Sequence, residues 1–216
     1  ASYMGRLKAI GEDSLDLLNR MSTNKVIDLG VGEGAVTVLT TDRGRIVDVL
    51  GVTNQGDSVI LLTSPGQQQP VIEWLDKYTI MEDLVINDIS SETSMLAVIG
   101  PDAGKLIGLT PNQLAQDSLA VHSITLGGID AVAVEQPLGS LSRYWLIVEL
   151  NNAARLWQYL TEKGAIPLGA KGADIRVGHV VHEDDHNIGW GALLGLKRNR
   201  QKPNQGDEKH AHGAGD

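Results

Sequence analysis

Asp48 lies inside an apolar run, Ile46-Val47-Asp48-Val49-Leu50. Alternate side chains of an extended chain share a face, so Asp48 goes with Ile46 and Leu50, and Val47 with Val49. Both faces are apolar, and the carboxylate is expected to be at least partly buried. Such a group is costly unless it is hydrogen-bonded or paired. It can bind the nitrogens of a ligand and take part in proton transfer. It can equally be a structural acid held by a backbone amide or by Arg43, Arg45 or Arg176. Tyr144-Trp145 offers two rings that can stack on a flat ligand or fill a core. Arg176 can meet an acidic group. His179 to His186 is rich in donors, and His182-Glu183-Asp184-Asp185-His186 formally matches a zinc-binding His-Glu-x-x-His string. No clear helix carries it, since Val180-Val181 precede the acidic run and Asn187-Ile188-Gly189 follow it. A solvated polar loop is expected, with no metal; His210 and His212 have no specific role.

These groups must be positioned by the elements around them. Asp28-Leu29-Gly30-Val31-Gly32-Glu33-Gly34 resembles the glycine loop of S-adenosylmethionine methyltransferases. That loop needs a helix after it. Here Ala35 to Thr41 follows, which is β-branched, so the string reads as a turn feeding a hairpin. Strands are expected over Ala35–Thr41, Arg45–Val52 and Ser58–Thr63, with turn chemistry at Asp42-Arg43-Gly44 and Asn54-Gln55-Gly56-Asp57. Further strands are expected over Leu84–Ile89, Met95–Ile99, Leu119–Leu126, Ile129–Glu135 and Arg143–Leu150, the Gly127-Gly128 pair making a hairpin. Apolar residues at helical spacing predict helices over Ser14–Met21, Gln69–Tyr78, Asp102–Leu109 and Asn151–Lys163, the last stopped by Gly164. The class is α+β, with antiparallel-rich sheets and flanking helices. Two α+β halves are expected, 1–99 and 100–196, followed by a disordered polar tail over 197–216.

The chain has 216 residues and no cysteine, which excludes disulfides, thiolate metal sites and a cysteine nucleophile. A net charge of −9 argues against a nucleic-acid partner. No run of eighteen apolar residues occurs, so no membrane span is expected, and the N-terminal residues do not read as a secretory signal. A cytoplasmic location follows as an expectation.

Several segments, in order, resemble one family. They are Leu18-Asn19-Arg20-Met21-Ser22-Thr23-Asn24-Lys25-Val26, Leu39 to Asp48, Trp74 to Tyr78, Asp83 to Ile86, Val98 to Ala103 and Leu156 to Leu160. The family is the glycine cleavage T-protein (aminomethyltransferase) with its folate-binding relatives in iron–sulfur cluster maintenance. The resemblance runs from about Gly5 to Val177. It implies a T-protein-like folate-binding fold, here without the usual C-terminal barrel. It also implies tetrahydrofolate in a central cavity, and a one-carbon-bearing small molecule or carrier protein as partner. In the family's Gly-x-Ile-x-Asp-Asp segment, Asp48 matches the first aspartate and Val49 replaces the second. The segment around Gly139 to Trp145 lacks the glutamate that binds the pterin in the T-protein. Arg176 keeps the arginine of a later motif whose glutamate is lost, and the cysteine motif of the iron–sulfur relatives is absent.

The implied function is one-carbon transfer on tetrahydrofolate. Asp48 would orient the one-carbon centre, Tyr144 or Trp145 would stack on the pterin, and Arg45 and Arg176 would bind the cofactor. The alternative is a folate-binding scaffold or maintenance factor without catalysis. A methyltransferase reading rests on the glycine string alone.

Overall fold

The computed structural model describes residues 4–115, 117–138, 141–168 and 193–196. The strands are β1 (Gly5–Ile10), β2 (Glu33–Thr40), β3 (Ile46–Asn54), β4 (Val59–Thr63), β5 (Val85–Asp88) and β6 (Thr93–Gly100). They continue with β7 (Ser118–Leu126), β8 (Ile129–Leu138), β9 (Leu141–Glu149), β10 (Ala165–Leu168) and β11 (Leu193–Leu196). Four helices accompany them: α1 (Ser14–Met21), α2 (Gln68–Asp76), α3 (Ala103–Ile107) and α4 (Ala153–Glu162). The strands form one sheet in the order β10-β11-β6-β9-β8-β7-β2-β3-β4-β1-β5. Only the β11–β6 ladder among these is parallel. The α+β expectation therefore holds. A strand, not a helix, starts at Glu33 directly after Gly32, so the glycine string feeds a hairpin and the methyltransferase topology is absent from it.

The hairpins follow from the turn residues. Gly127 and Gly128 both have positive φ, 58° and 76°. A two-residue turn with that geometry matches the right-handed strand twist and joins Leu126 to Ile129 in register. Asp13 stands at the N-cap position of α1, a place that favours aspartate, but its carboxylate makes no cap bond to the helix. It accepts the Asp83 N–H at 2.8 Å instead and ties α1 to the approach of β5.

The sheet has two limbs. In the first, α1 and α2 cover one face of β1 to β4, where Leu17, Leu18, Val71 and Leu75 pack on Leu7, Leu39, Leu50, Val52 and Leu61. In the second, α3 and α4 cover β6, β8 and β9, where Ile107, Leu156 and Leu160 pack on Val98, Ala133, Tyr144 and Leu146. The opposite faces of the limbs meet in a third cluster, Ile60, Leu62, Met95, Ala97, Leu119, Val134, Trp145 and Ile147. The helices therefore lie outside, and the sheet is curled on itself between them.

Among the described residues only three pairs, Glu33–Ala120, Gly34–Leu119 and Ala35–Ser118, join the limbs as a β ladder. Gly34 is needed at that seam. A Cβ there would lie 2.6 Å from the Val52 carbonyl oxygen and 3.0 Å from Leu119 Cβ. Arg6, buried in β1, adds a second tie. Its Nε donates to Thr93 Oγ1 at 2.7 Å, and its Nη2 to the Ser90 and Thr93 carbonyls at 2.6 and 3.1 Å. Burial lowers its pKa, and Asp88 opposes that shift.

Candidate functional site

Where the limbs meet, beside the third cluster, the curl leaves a pocket of about 240 Å³. Val36, Val49, Leu50, Gly51, Leu62 and Leu119 line one wall, and Gln136 and Trp145 the other; Met4, Ser64 and Pro65 stand at the rim. The wall follows from strand alternation. Gly51 pairs with both Val36 and Leu62, so a residue without a side chain sits at the centre of an apolar three-strand surface and leaves room there. The neighbouring atoms lie 3.4 Å or more from an added Cβ at Gly51, so the space is real and a small side chain would occupy it.

Alternation also sorts the predicted residues. Trp145 is buried and lines the pocket. Tyr144, its neighbour, points to the other face of β9 and is fully buried in the α3–α4 core. Its hydroxyl donates to Glu135 Oε1 at 3.1 Å. Burial, then the charge of Glu135 and this hydrogen bond, push the phenol well above its ordinary range. Trp145 is therefore the aromatic of the pair that reaches the cavity.

Asp48 is buried, with 5% exposure. A register shift between Leu39 and Thr40 sets Asp48 opposite Leu39 and Ile46 opposite Thr40. Asp48 Oδ2 accepts the Ser64 N–H at 2.9 Å. Its carboxylate is not among the pocket's lining groups, whereas Val49 and Ser64 are. Asp48 thus touches the site through the Ser64–Pro65 rim. Arg45 is exposed in the β2–β3 turn, where its backbone N–H donates to Thr41 Oγ1 at 3.1 Å. Its side chain does not line the pocket. Arg176, with the histidine run from His179 to His186 and the tail over 197–216, lies outside the described residues.

Sequence reasoning missed a polar cluster beneath the pocket wall. Glu135 is 3% exposed. Besides Tyr144 it accepts the Asn112 N–H at 3.0 Å and Asn112 Nδ2 at 2.8 Å, and His122 Nε2 lies 3.6 Å away. The available signal was alternation: Ile129, Ala131 and Ala133 face the core, and Glu135 continues that series. Next to it, Gln136 Oε1 accepts Arg143 Nη2 at 2.5 Å and Trp145 Nε1 at 3.2 Å. The Arg143 guanidinium lies 5.0 Å from the Trp145 ring centre, and burial lowers its pKa. The indole is thereby held in place by a hydrogen bond and a cation–π contact. Among the described residues no group of three or more metal-ligating side chains occurs.

This fold and pocket can be set beside known proteins. The profile of the family described as GCVT N-terminal domain matches residues 1–176. The chain belongs to the GCVT N-terminal domain family. It is 29% identical over 171 residues to an aminomethyltransferase of Bacillus cereus, covering 76% of this chain and 46% of that protein. It is 28% identical over 174 residues to a chloroplastic protein of Arabidopsis thaliana described as a transferase, covering 78% of this chain and 40% of that one. The chain thus spans less than half the length of these relatives. Among solved structures, the glycine cleavage system aminomethyltransferase T of Bartonella henselae superposes with a TM-score of 0.59 at 17% identity. The match covers 74% of this chain and 43% of that one. At that identity the likeness shows the fold: an antiparallel-rich, curled sheet with flanking helices, as the GCVT N-terminal domain resemblance implies. No helix among the described residues is long and apolar enough to cross a membrane.

Proposed function

We propose that this GCVT N-terminal domain chain binds tetrahydrofolate in the pocket at the junction of its limbs, with the pteridine ring against Trp145. The observation that carries the reading is the pocket itself. It is apolar, it lies between the limbs, where the family resemblance implies a central cavity, and one buried indole is fixed in its wall. Its volume of about 240 Å³ suits a bicyclic ring. It falls below the roughly 300–1,000 Å³ of sites that enclose a drug-sized ligand. The aminobenzoyl-glutamate tail would therefore lie across the mouth, over Pro65 and Val49.

None of the eleven lining residues is ionisable, and the family's second aspartate position is Val49. That favours holding the folate and its one-carbon unit over proton transfer inside the pocket. A second reading, one-carbon transfer as in the aminomethyltransferase relatives, is supported by the nearness of Asp48. It is a carboxylate one hydrogen bond from Ser64 at the rim. On this reading Asp48 orients the one-carbon centre, and the donor is a small molecule or a carrier protein. Either way the protein works in an aqueous compartment, cytoplasmic in our reading.

Calorimetric titration with tetrahydrofolate separates the outcomes. Micromolar binding is expected, weakened about tenfold or more by Gly51→Val, which fills the floor with a strand-compatible side chain. Absence of binding in the unaltered chain would sink the proposal. Asp48→Asn decides between the readings. If it leaves affinity within about threefold and no turnover is found in the unaltered chain, the holding role stands. Turnover that is lost in Asp48→Asn would establish the transfer role.

A further inference from the structure

Gln136 is the one pocket-lining side chain whose hydrogen-bonding polarity is dictated by its neighbours. A glutamine amide can usually turn either end toward a ligand, because its oxygen and nitrogen are nearly isosteric. Here the choice is removed. Arg143 Nη2 and Trp145 Nε1, at 2.5 and 3.2 Å, both reach the same amide atom. Guanidinium and indole nitrogens only donate, so that atom must be the oxygen. Flipping the amide would set its NH₂ against two donors. The Nε2 hydrogens then face away from Arg143 and Trp145. Among the described residues no acceptor takes them, and Gln136 lines the cavity beside the Trp145 ring.

We propose that Gln136 is a specificity-determining residue of the pocket. It acts as a fixed donor that selects a flat ring presenting an acceptor, such as a ring carbonyl oxygen, at its edge, and rejects a ring presenting an amino group there. This rests on the folate reading above and sharpens it. The Arg143–Gln136–Trp145 arrangement spans β8 and β9, which pair Gln136 with Arg143 directly. The donor is therefore mounted on the sheet and not on a loop, so it keeps its direction when a ligand enters. A carboxylate at the same place would read donors on the ring, the opposite preference. A site that holds a matched hydrogen-bonding partner disfavours the mismatched analogue by more than the loss of one bond, since its own polar group is left opposed.

The test compares tetrahydrofolate with its 4-amino-4-deoxy analogue, in which an amino group replaces the ring oxygen. Affinities are measured by calorimetry on the full chain and on Gln136→Glu. Glutamate keeps one oxygen for Arg143 and Trp145 and presents its other oxygen, an acceptor, to the ring. The full chain should prefer the 4-oxo ligand by about tenfold or more, and Gln136→Glu should abolish or invert that preference. Circular dichroism and tryptophan fluorescence check that the variant keeps its fold. Equal affinity for both ligands in the full chain would overturn the inference and leave the folate reading standing. The same 4-oxo preference in a folded Gln136→Glu would overturn it too. Failure of both ligands to bind the full chain would instead bring down the folate reading, and this inference with it.

Discussion

Among the described residues, each limb of the sheet buries one carboxylate, and the two are held in different ways. Asp48 on β3 is 5% exposed and accepts the Ser64 backbone N–H. Glu135 on β8 is 3% exposed and takes three donors, from Tyr144 and from the backbone and side chain of Asn112, with His122 close by. Glu135 thereby pins the segment between α3 and β7 to the sheet, and Tyr144 beneath it. Asp48 fixes a single rim residue at the pocket mouth. Burial alone therefore does not identify a functional acid. What separates the two is how much of their hydrogen-bonding capacity the protein itself consumes: Glu135 is committed to structure, while Asp48 keeps an oxygen without a described hydrogen bond, next to the site.

The largest expected effect comes from cutting the tie that lets the limbs be compared at all. Arg6→Met removes the side-chain donors that hold the partly buried Ser90 and Thr93 carbonyls and the Thr93 hydroxyl to β1, leaving only the backbone N–H bond to Ser90. Hydrogen bonds from a charged group contribute about 1.5–3 kcal/mol each. A loss of about 3 kcal/mol or more is expected in urea unfolding, with a lowered midpoint and loss of cooperativity between limbs. A loss below about 1 kcal/mol would show that the β2–β7 ladder and the third cluster hold the limbs together without Arg6.

The next experiment removes each acid in turn. Glu135→Leu should cost about 2–3 kcal/mol, since the Tyr144 hydroxyl loses its acceptor in the interior and the Asn112 N–H and side chain lose theirs at its edge. Asp48→Ala should cost about 1–2 kcal/mol, for one N–H. Equal costs in the same unfolding assay would erase the contrast drawn here.

The smallest effect is a dependence on alkaline pH. Tyr144 in the second limb holds its proton above the ordinary tyrosine range, first because it is buried and then because Glu135 is beside it. In the unfolded chain that phenol ionises near 10. The folded form is thus favoured in full below about pH 10 and loses that advantage as pH rises further. Thermal melts between pH 9 and 12 should show the decline, and Tyr144→Phe should flatten it. A slope unchanged in Tyr144→Phe would place the alkaline sensitivity elsewhere.

Much of this fold is legible in the chain because its signals are local. Asn54 to Asp57 and Gly127-Gly128 are turn residues between alternating runs, and the strands they join pair as their neighbours in sequence. The burial of Asp48 could be read from the apolar residues on either side. So could the need for Tyr144 and Trp145 to part, since adjacent strand residues face opposite ways. The glycine string misleads only when read without the β-branched residues after it. What escaped depends on distant partners. β1 went unseen because Gly5 to Ile10 is short and carries Arg6 and Lys8, and most of the acceptors that Arg6 meets lie 84 to 87 residues later. Glu135 needs Asn112, and Gln136 gains its polarity from Arg143 and Trp145. Neither relation has a local signature.

The three-pair ladder between β2 and β7 also bears on how the chain reaches this state. Within each limb the hairpins β2-β3-β4 and β7-β8-β9 close over a few residues each. The ladder between them spans more than 80 residues, as does the clasp of Arg6. Loop closure charges entropy in advance for such distant contacts, and chains rich in them fold slowly. The two meanders should therefore form early and independently, and the pocket, which needs both, should be the last part of the molecule to exist.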